Sequence, residues 1–392
     1  MSNEALVRRV RRTHTWAAVG TIAVVAATLS GCGGSDDDGA AADSSASTGG
    51  GDSAQSADLA AYTKPLDAYP VPTDPIDGVA ALAGKTIYYV PITLQSVQFN
   101  VTQKGLEAAA ESVGITVQTC DGKGTPTDIG ACIGQATDAK AGAIVTDAIA
   151  YGLAANALDA AQAAGIPVII SNQEVDEAHP ASPTLDYVAA GGAAMEEALA
   201  SWVIQDSGGK GQVLVDMSTD GPSPAVYQAA GQKVYDDSCP DCTVTINEVS
   251  TSSFAQIPSS TSAALLKDPD INYVEAQFAQ YAQAAQAAVQ QTSRTDVKLV
   301  AGAGELGAIK QVDSGALAAV SAQAAAFQGW IDMDAALRLM VGADVPEYTI
   351  PVRLFTKDTM DDVDLTDEAQ QSGEWFGPAT FTDDFEKIWG IG

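Results

Sequence analysis

The chain has 392 residues, of which 50 are acidic and 19 are basic, so its formal net charge at pH 7 is −31. This balance excludes binding to nucleic acid or to anionic lipid through bulk charge, because both partners are themselves negative. We interpret the acidity as a solvated surface that keeps an exported protein soluble, and we predict no nucleic-acid partner.

The N-terminal residues 1–31 have the pattern of a secretory signal peptide. Four arginines between residues 8 and 12 precede an almost wholly apolar or small run from Trp16 to Leu29. The run is shorter than the roughly 20 residues that a membrane-spanning helix needs. Basic residues, a short apolar core and small residues at a cleavage point are typical of a secretory signal.

Leu29-Ser30-Gly31-Cys32 resembles the bacterial lipobox. In that pattern the cysteine thiol receives diacylglycerol, the chain is cut before the cysteine, and the new amine is acylated. The alternative is an ordinary signal or a short anchor with a chance cysteine. The resemblance implies a protein that Cys32 anchors to the outer face of the bacterial cell membrane, because more than one acyl chain makes anchoring stable.

Residues 32–81 are predicted to be a flexible tether that follows the lipidated cysteine. From Gly33 to Asp58 the chain is dominated by Gly, Ser, Ala, Asp and Thr, which cannot bury enough apolar surface to offset the entropy of ordering the chain. Several prolines between residues 70 and 75 extend it as a stiffer lead-in. The globular part is therefore predicted to start near Leu82.

Four further cysteines lie in this exported context, which favours disulfides. Closeness in sequence suggests the pairs Cys120 with Cys132 and Cys239 with Cys242. The second pair could also be a thioredoxin-like redox motif or half of a zinc site. However, no second CxxC exists, and His179 is the only histidine after the signal. We favour a disulfide that staples a turn, and we predict no metal site and no cofactor.

Beyond Leu82, short apolar strands alternate with Ala-rich amphipathic helices. In chain order the predicted elements are strand 85–90, helix 101–113, strands 115–119 and 143–146, helix 153–164, strand 166–170, helix 191–205, strand 211–215, helix 224–237, and strands 244–249, 273–274 and 298–300, with further helices around residues 265, 285 and 309. This alternation predicts an α/β fold of parallel sheets with helices on both faces, in which ligands bind beyond the carboxyl ends of the strands. About 310 residues are too many for one small core and suit two lobes.

Three segments and one helix resemble the type 1 periplasmic sugar-binding proteins, the ribose-binding-like family. The segments are YYVPITLQSVQF at 88–99, AGIPV at 164–168 and GALAAVSAQ at 315–323, and the helix runs from Gly329 to Gly342. Each motif alone is weak, but together their order and spacing are specific. The resemblance extends from residue 85 to about residue 357.

The resemblance implies two doubly wound parallel-sheet lobes joined by a three-strand hinge. The first lobe would comprise 82–190 plus 328–347, and the second 191–327 plus 348–392. A solute would bind in the cleft between them by hinge closure. Members of this family deliver their solute to the membrane permease of an ABC importer. We therefore expect a monomer whose partners are a small-molecule solute and ABC permease subunits.

The resemblance also carries over cleft residues. Phe99 and Phe254 match two positions at which the family stacks a pyranose ring, and Gln323 matches the hinge glutamine. Packing in the core is the alternative for each phenylalanine, since that is their commoner location. The cleft is predicted to contain Gln95, Ser96, Gln98, Phe99, Asp147, Tyr151, Asn172, Gln173, Asp220, Tyr227, Phe254, Gln277, Phe278, Tyr281, Gln323 and Trp330. Twelve of these sixteen are the predicted ligand-binding residues, all except Gln95, Asp220, Tyr281 and Trp330.

Several cleft positions depart from the family pattern in one direction. The replacements are Ser96 for an asparagine, Gln98 for an aromatic residue, Asn172-Gln173 for an Asp-Arg pair, Val226 for an arginine, Phe278 for an asparagine and Ala303 for an aspartate. The charged groups that clamp sugar hydroxyls are lost, and no Lys or Arg remains in the predicted cleft. We therefore predict a neutral solute that is carbohydrate-like or has an apolar or aromatic face. A weakly cationic solute is the alternative, since Asp147, Asp220 and Glu305 could face the cleft.

The sequence contains no convincing set of catalytic residues. Residues 302–307 spell GxGxxG after a strand, but no acidic ribose partner follows. His179 alone cannot complete a Ser-His-Asp set. We predict a binding protein and no enzyme. An extracytoplasmic sensor that docks on a signalling membrane protein remains the alternative to a transport receptor.

Overall fold

The computed structural model describes residues 59–391, which fold into two lobes built on two separate sheets. The predicted signal peptide, the lipidation site at Cys32 and the tether up to residue 58 lie outside the described residues. Within the described range no helix is long and apolar enough to cross a membrane.

The first lobe has a sheet of five parallel strands in the order β2-β1-β3-β4-β5. The strands are β1 (Thr86–Pro91), β2 (Thr116–Thr119), β3 (Ala143–Asp147), β4 (Val168–Ser171) and β5 (Leu185–Val188). Three helices follow its strands, α1 (Val97–Ser112), α2 (Pro126–Asp138) and α3 (Tyr151–Ala163). The central strands are buried on both faces because helices cover each side, which explains their continuous apolar sequence.

The second lobe has a sheet of six strands in the order β11-β10-β9-β8-β6-β7, and only β11 runs antiparallel. The strands are β6 (Gln212–Ser218), β7 (Thr243–Val249), β8 (Tyr273–Ala276), β9 (Lys298–Ala301), β10 (Ala319–Gln323) and β11 (Val352–Thr356). Helix α4 (Gly192–Asp206) precedes these strands, and the helices between them are α5 (Ser223–Ser238), α6 (Ile257–Lys267), α7 (Ala282–Thr292) and α8 (Leu306–Ser314). The predicted fold class, two doubly wound parallel-sheet lobes of the type 1 periplasmic-binding-protein fold, is confirmed.

Helix α9 (Ala325–Val341) leaves the second sheet after β10 and packs on α1 of the first lobe. Two glycines allow this close approach. A Cβ on Gly105 would lie 2.3 Å from the Ala326 carbonyl oxygen, and one on Gly329 would lie 2.4 Å from the Leu106 nitrogen. The chain therefore crosses between the lobes three times, before α4, before α9 and before β11, as a three-strand hinge requires.

Residues 59–81 differ from the predicted flexible tether. Tyr69, Ile76 and Val79 are buried, and the Tyr69 ring centroid lies 4.6 Å from those of Phe327 and Phe381. The tyrosine hydroxyl donates to the Gly373 carbonyl at 2.6 Å. These scattered apolar residues are held by partners about 300 positions away, which no local sequence pattern reveals.

The C-terminal helices α10 (Asp367–Ser372) and α11 (Phe381–Ile388) also differ from the prediction, which placed residues 348–392 in the second lobe. Strand β11 lies in the second sheet, but α10 and α11 pack on α9 and α1. Trp389 stacks on Trp330 with ring centroids 5.5 Å apart, and its Nε1 donates to Asp334 Oδ1 at 2.7 Å. Trp330, predicted in the cleft, lies instead in this aromatic core because the C-terminal rings cover it.

Both predicted disulfides are present in the structure, Cys120–Cys132 and Cys239–Cys242. The first ties the end of β2 to α2, and the second closes the turn between α5 and β7. Neither pair belongs to a metal-binding cluster: within residues 59–391, no group of three or more His, Cys, Asp or Glu side chains could hold a metal ion.

Candidate functional site

A cleft of about 700 Å³ lies between the two lobes, beyond the carboxyl ends of their strands. Loops that follow β1, β3, β4, β6, β7, β8 and β9 reach it, together with hinge residues. This is where a doubly wound fold is expected to bind its ligand, because those loops can vary without disturbing the sheets.

The first-lobe wall comes from two loops. Ser96, Gln98 and Phe99 lie where the loop after β1 turns into α1, and Ser96 is the residue that precedes that helix. Asn172 and Gln173 directly follow β4. Asn172 has a left-handed backbone with φ of 56°, which asparagine tolerates better than most residues.

The second-lobe wall combines rings with one carboxylate. Phe278 and Tyr281 follow β8, while Tyr227 projects from α5. Asp220 Oδ2 accepts from the backbone nitrogen of Thr251 at 2.8 Å and from its hydroxyl at 2.5 Å. Among the described residues that line the cleft, Asp220 is the only one with a charged side chain. Its Oδ2 atom already accepts hydrogen bonds from Thr251 of the same lobe.

The two lobes touch each other across the cleft. Ser223 of α5 donates its hydroxyl proton to Gln173 Oε1 at 2.8 Å, and the backbone nitrogen of Glu174 donates to Ser223 Oγ at 3.1 Å. Tyr227 also donates to the Asn172 carbonyl at 3.4 Å. These contacts join loops of opposite lobes, so the structure shows the lobes closed on one another.

Gln323 connects the hinge to the cleft. It ends β10, its Oε1 accepts from the Gly191 nitrogen at 2.9 Å, and its Nε2 donates to Asn172 Oδ1 at 2.9 Å. The same Nε2 donates to Gln328 Oε1 at 2.6 Å. One side chain thus bonds to two crossovers and to the first-lobe wall, which matches the place predicted for a hinge glutamine.

Two carboxyl groups are buried below the first-lobe wall. Asp147 accepts from Tyr89 at 2.5 Å and from Asn172 Nδ2 at 2.6 Å, and burial raises its pKa to about 6 although both bonds lower it. Asp332 accepts from Ser171 at 2.7 Å. Its pKa is raised well above the usual range by burial and then by the neighbouring charge of Asp147.

The structure brings eight of the twelve predicted site residues to the cleft surface. Their side chains include two phenylalanines, one tyrosine and four amides, without a formal charge. They are Ser96, Gln98, Phe99, Asn172, Gln173, Tyr227, Phe278 and Gln323. Of the wider predicted set, Asp220 and Tyr281 also line the cleft.

The other four predicted site residues lie outside the cleft lining. Phe254 sits on the turn after β7, 42% exposed, with its ring 6.2 Å from that of Tyr281. Tyr151 stacks on His179 at 3.8 Å and bonds to Asp159. Neither residue lines the cleft, and Tyr151 is held by these two neighbours on its own lobe.

Two of these four are buried supports. Asp147 is fully buried below Asn172. Gln277 is also buried, accepting from the Ser218 nitrogen and donating to the Pro224 carbonyl, both at 2.8 Å. Because Asn172, Ser218 and Pro224 line the cleft, these two residues act one step behind its wall.

Much of the apolar wall of the cleft is absent from the residues predicted for it. Ile92, Ala148, Met195 and Ala279 line the cleft, as do small polar residues such as Ser218 and Thr251. Ser218 carries a usable signal, since it lies three residues beyond the predicted strand 211–215 and ends the observed strand β6. Met195 carries none, because it lies in the first turns of a helix and reaches the cleft only through tertiary packing.

A smaller recess of about 270 Å³ adjoins the cleft and shares Gln98 and Gln323 with it. The C-terminal segment contributes Trp375 and Phe376 to this recess, and the loop after β9 contributes Glu305. Burial raises the pKa of the Glu305 carboxyl to about 7. Gln370, which also lines the recess, accepts from the backbone nitrogen that begins α8 and so takes the capping role that Glu305 could have filled.

Residues 87–344 match the periplasmic binding protein domain family, and the chain belongs to this family. The match covers most of the chain, including the parallel strands of both sheets, the cleft loops and the first two crossovers, and it ends before β11. Proteins of this family act outside the cytoplasm and bind ligands without catalysing their conversion. No curated protein matches the chain in sequence.

Solved structures share the fold. An ABC sugar transporter subunit from Rhodobacter sphaeroides 2.4.1 is 22% identical, with a TM-score of 0.61 over 71% of this chain and 99% of that one. A periplasmic solute-binding protein from Actinobacillus succinogenes 130z with bound D-allose is 21% identical, with a TM-score of 0.60 over 71% and 100%. The 5-methylthioribose transporter solute-binding protein from Thermotoga lettingae TMO is 17% identical, with a TM-score of 0.63 over 77% and 96%.

Proposed function

We propose that this protein is the lipid-anchored, extracytoplasmic solute-binding protein of an ABC importer. It binds a small neutral solute, carbohydrate-like or with an apolar or aromatic face, by closing its lobes on it. The observation that carries the proposal is the cleft itself, an open space of about 700 Å³ that rings and amides from both lobes line without a lysine or arginine.

The charge of the lining supports a neutral solute. A carboxylate or phosphate ligand needs a cation or a set of free backbone donors, and none of the lining side chains is cationic. The one carboxylate, Asp220, already accepts from Thr251 through one oxygen, which leaves its other oxygen for a hydroxyl or an amine. An anion would face this carboxylate with no compensating charge.

The rings support a solute with an apolar face. Phe99 from the first lobe and Phe278 and Tyr281 from the second line the same cleft. Sugar rings carry C–H faces that pack on aromatic rings, while their hydroxyls bond to amides such as Gln98 and Asn172. Pockets of this kind hold ligands through apolar area and orient them with a few polar groups.

Three observations support importer function and membrane attachment. The chain belongs to the periplasmic binding protein family, a lipobox-like Leu29-Ser30-Gly31-Cys32 follows an apolar run, and structural neighbours are named as transporter subunits. Radiolabelled palmitate fed to cells that express the full chain should be incorporated, and Cys32→Ser should abolish the incorporation. Equal labelling of both forms would contradict the lipid anchor.

A thermal-shift screen tests the solute class. The panel holds D-allose, D-tagatose, allitol, myo-inositol, 5-methylthioribose, nucleosides and neutral aromatics, each beside an anionic counterpart where one exists. Ligands that bind only the folded state raise the melting temperature in proportion to the logarithm of their concentration. We expect a saturable rise with at least one neutral solute and none with its acid.

Two phenylalanine variants locate the binding site. Phe99→Ala should abolish the rise, because its ring lines the cleft. Phe254→Ala is the matched control: this ring is 42% exposed outside the cleft lining, so its loss should leave the rise intact. A rise that survives Phe99→Ala and disappears in Phe254→Ala would place the solute elsewhere, and a rise with acids alone would overturn the neutral class.

A further inference from the structure

A continuous chain of buried hydrogen bonds runs from the cleft wall to the hinge. It includes two carboxyl groups, Asp147 and Asp332, that are fully shielded from solvent. Buried carboxyl groups are costly unless they are paired or neutral, so a fold that keeps two of them close together requires an explanation.

The first arm of the chain fixes the Asn172 amide. Asn172 donates through Nδ2 to Asp147 Oδ1 at 2.6 Å and accepts through Oδ1 from Gln323 at 2.9 Å. Tyr89 donates to the other oxygen of Asp147 at 2.5 Å. Both bonds to Asp147 are donated to it, an arrangement that suits the ionised carboxylate because it only accepts.

The second arm returns to the same glutamine. Ser171 donates to Asp332 Oδ1 at 2.7 Å and accepts from Gln328 Nε2 at 2.7 Å. Gln328 in turn accepts from Gln323 at 2.6 Å. The other oxygen of Asp332, Oδ2, is buried without a hydrogen-bond partner, which is where a retained proton would sit.

No cation neutralises the pair. The titratable groups that face Asp147 are Tyr89 from β1, Asp332 from α9 and Tyr227 from α5, and none of them is positive. No hydrogen bond or ion pair to either carboxyl comes from a lysine, arginine or histidine within the described residues. Two uncompensated negative charges at this depth are unfavourable, so one proton must remain on the pair at neutral pH.

We propose that Asp332 retains this proton while Asp147 stays ionised, and that ionised Asp147 positions Asn172 and, through it, Gln323, so that lobe closure on a solute weakens when Asp147 is protonated. A protonated Asp147 has one acceptor fewer for Tyr89 and Asn172, so the asparagine amide loses its fixed orientation. The amide's other end holds Gln323, the side chain that bonds to two crossovers. The consequence for solute affinity rests on the proposed function, whereas the positioning of Asn172 does not.

The pH range follows from the burial of Asp147. Its pKa is raised to about 6, so the carboxyl is mostly ionised at pH 7.5 and mostly protonated at pH 5. If only the ionised form closes fully, apparent affinity scales with the ionised fraction, and the solute should bind about tenfold more weakly at pH 5 than at pH 7.5.

Nuclear magnetic resonance of the solute-free protein tests the positioning directly. The chain is labelled with ¹³C in aspartate carboxyls and ¹⁵N in asparagine side chains, and is titrated from pH 4.5 to 8. We expect the Asn172 amide resonances to shift with a midpoint near pH 6, together with one buried carboxyl. Asn172→Ser assigns the amide resonances by their loss.

Three variants separate the proposal from a purely structural role. Asp147→Asn should abolish the pH dependence of the Asn172 resonances. Asp332→Asn imitates the protonated partner, so the midpoint near pH 6 should persist. Asp216→Asn is the matched control. Burial also raises the pKa of this second-lobe carboxyl to about 6, but it bonds to Asn247 and Thr261 and not to any residue in the hydrogen-bond chain between the cleft and the hinge.

The outcomes are decisive without a solute. An Asn172 amide that does not change between pH 5 and 8, or one that titrates unchanged in Asp147→Asn, would overturn the proposal. If Asp147→Asn fails to fold, the parent profile and Asp332→Asn still decide, because loss of the midpoint in the latter also contradicts it. Should a panel solute bind, a Kd equal at pH 5 and pH 7.5 would refute the link to closure while leaving the binding function intact.

Discussion

Gln323 and Asn172 meet across the hinge, with Nε2 of the glutamine 2.9 Å from Oδ1 of the asparagine. The glutamine ends a second-lobe strand, and the asparagine follows a first-lobe strand. Because both residues also line the cleft, a solute that contacts either one also contacts the bond that joins the lobes. Binding and closure are therefore expected to be coupled through this pair.

Removing the hinge glutamine should weaken both stability and closure. Gln323→Ala leaves the buried Gly191 nitrogen and Asn172 Oδ1 without their partners. Unsatisfied buried groups of this kind cost about 1–3 kcal/mol each, so the free energy of unfolding in urea should fall by at least that amount. Gln283→Ala, at an exposed glutamine on α7, is the control and should change it by less than about 0.5 kcal/mol. Equal changes in the free energy of unfolding for the two substitutions would contradict a role for Gln323 in the hinge.

The cross-cleft serine should contribute to the closed state. Ser223→Ala removes the bond to Gln173 and the acceptor of the Glu174 nitrogen, both of which join opposite lobes. If the free energy of lobe closure becomes about 1 kcal/mol less favourable, solute affinity should fall roughly fivefold. Calorimetric titration measures this change. Ser238→Ala, exposed at the end of α5, should leave the affinity unchanged. An unchanged affinity in Ser223→Ala would mean that solute binds without these contacts.

A buried glutamate pair should make the protein less stable at alkaline pH. Burial raises the pKa of both Glu196 and Glu275; the charge of Glu275 raises the pKa of Glu196 further, whereas the hydrogen bond with Glu196 partly lowers the pKa of Glu275. The folded state then holds protons that the unfolded chain has released, so this stability is complete below the unfolded pKa and is lost as pH rises through the folded pKa.

Glu275→Gln tests this sign. The substitution removes one ionisable group from the pair. The free energy of unfolding of the variant relative to that of the parent, measured by chemical denaturation, should therefore increase by roughly 1–3 kcal/mol from pH 5 to pH 8.5. Glu248→Gln, at a glutamate on β7 outside the buried set, serves as the control and should show no such trend. A parent-to-variant difference that shrinks toward alkaline pH would contradict the argument.

The N-terminal lead-in should be part of the folded unit. Tyr69→Ala removes a ring that packs between Phe327 and Phe381 and a hydroxyl that bonds to Gly373. We therefore expect the free energy of unfolding to fall by about 3–5 kcal/mol. Leu66→Ala, three residues earlier and 40% exposed, should cost less than about 1 kcal/mol. Similar melting temperatures for the parent and Tyr69→Ala would show that residues 59–81 are a tether after all.

The sheets were predictable because buried parallel strands are continuous apolar runs and their helices end at glycine. Residues 164–168, for example, place Gly165 at the end of α3 and a buried strand directly after it. Phe99 and Gln323 were located by motif, since each follows or ends such a strand. Their place at the cleft follows from topology more than from chemistry.

The remaining features depend on contacts that are distant in sequence. Trp330 lies on the helix after the hinge glutamine, but rings more than 50 positions later cover it. Asp147 ends a strand as a cleft residue should, yet the Asn172 amide lies over it and bonds to it. Neither burial can be inferred from the neighbouring residues, because each is determined by an element from elsewhere in the chain.

Isothermal titration calorimetry with matched pairs of ligands tests whether the cleft between the lobes binds a neutral solute. Each neutral sugar or polyol is titrated beside the corresponding carboxylic acid, with the parent protein and with Phe99→Ala. We predict one-to-one binding of a neutral member, at least tenfold weaker binding of its acid, and loss of binding in Phe99→Ala. An acid that binds more tightly than its neutral partner, with the same affinity in Phe99→Ala, would contradict both the assigned cleft and the class of solute.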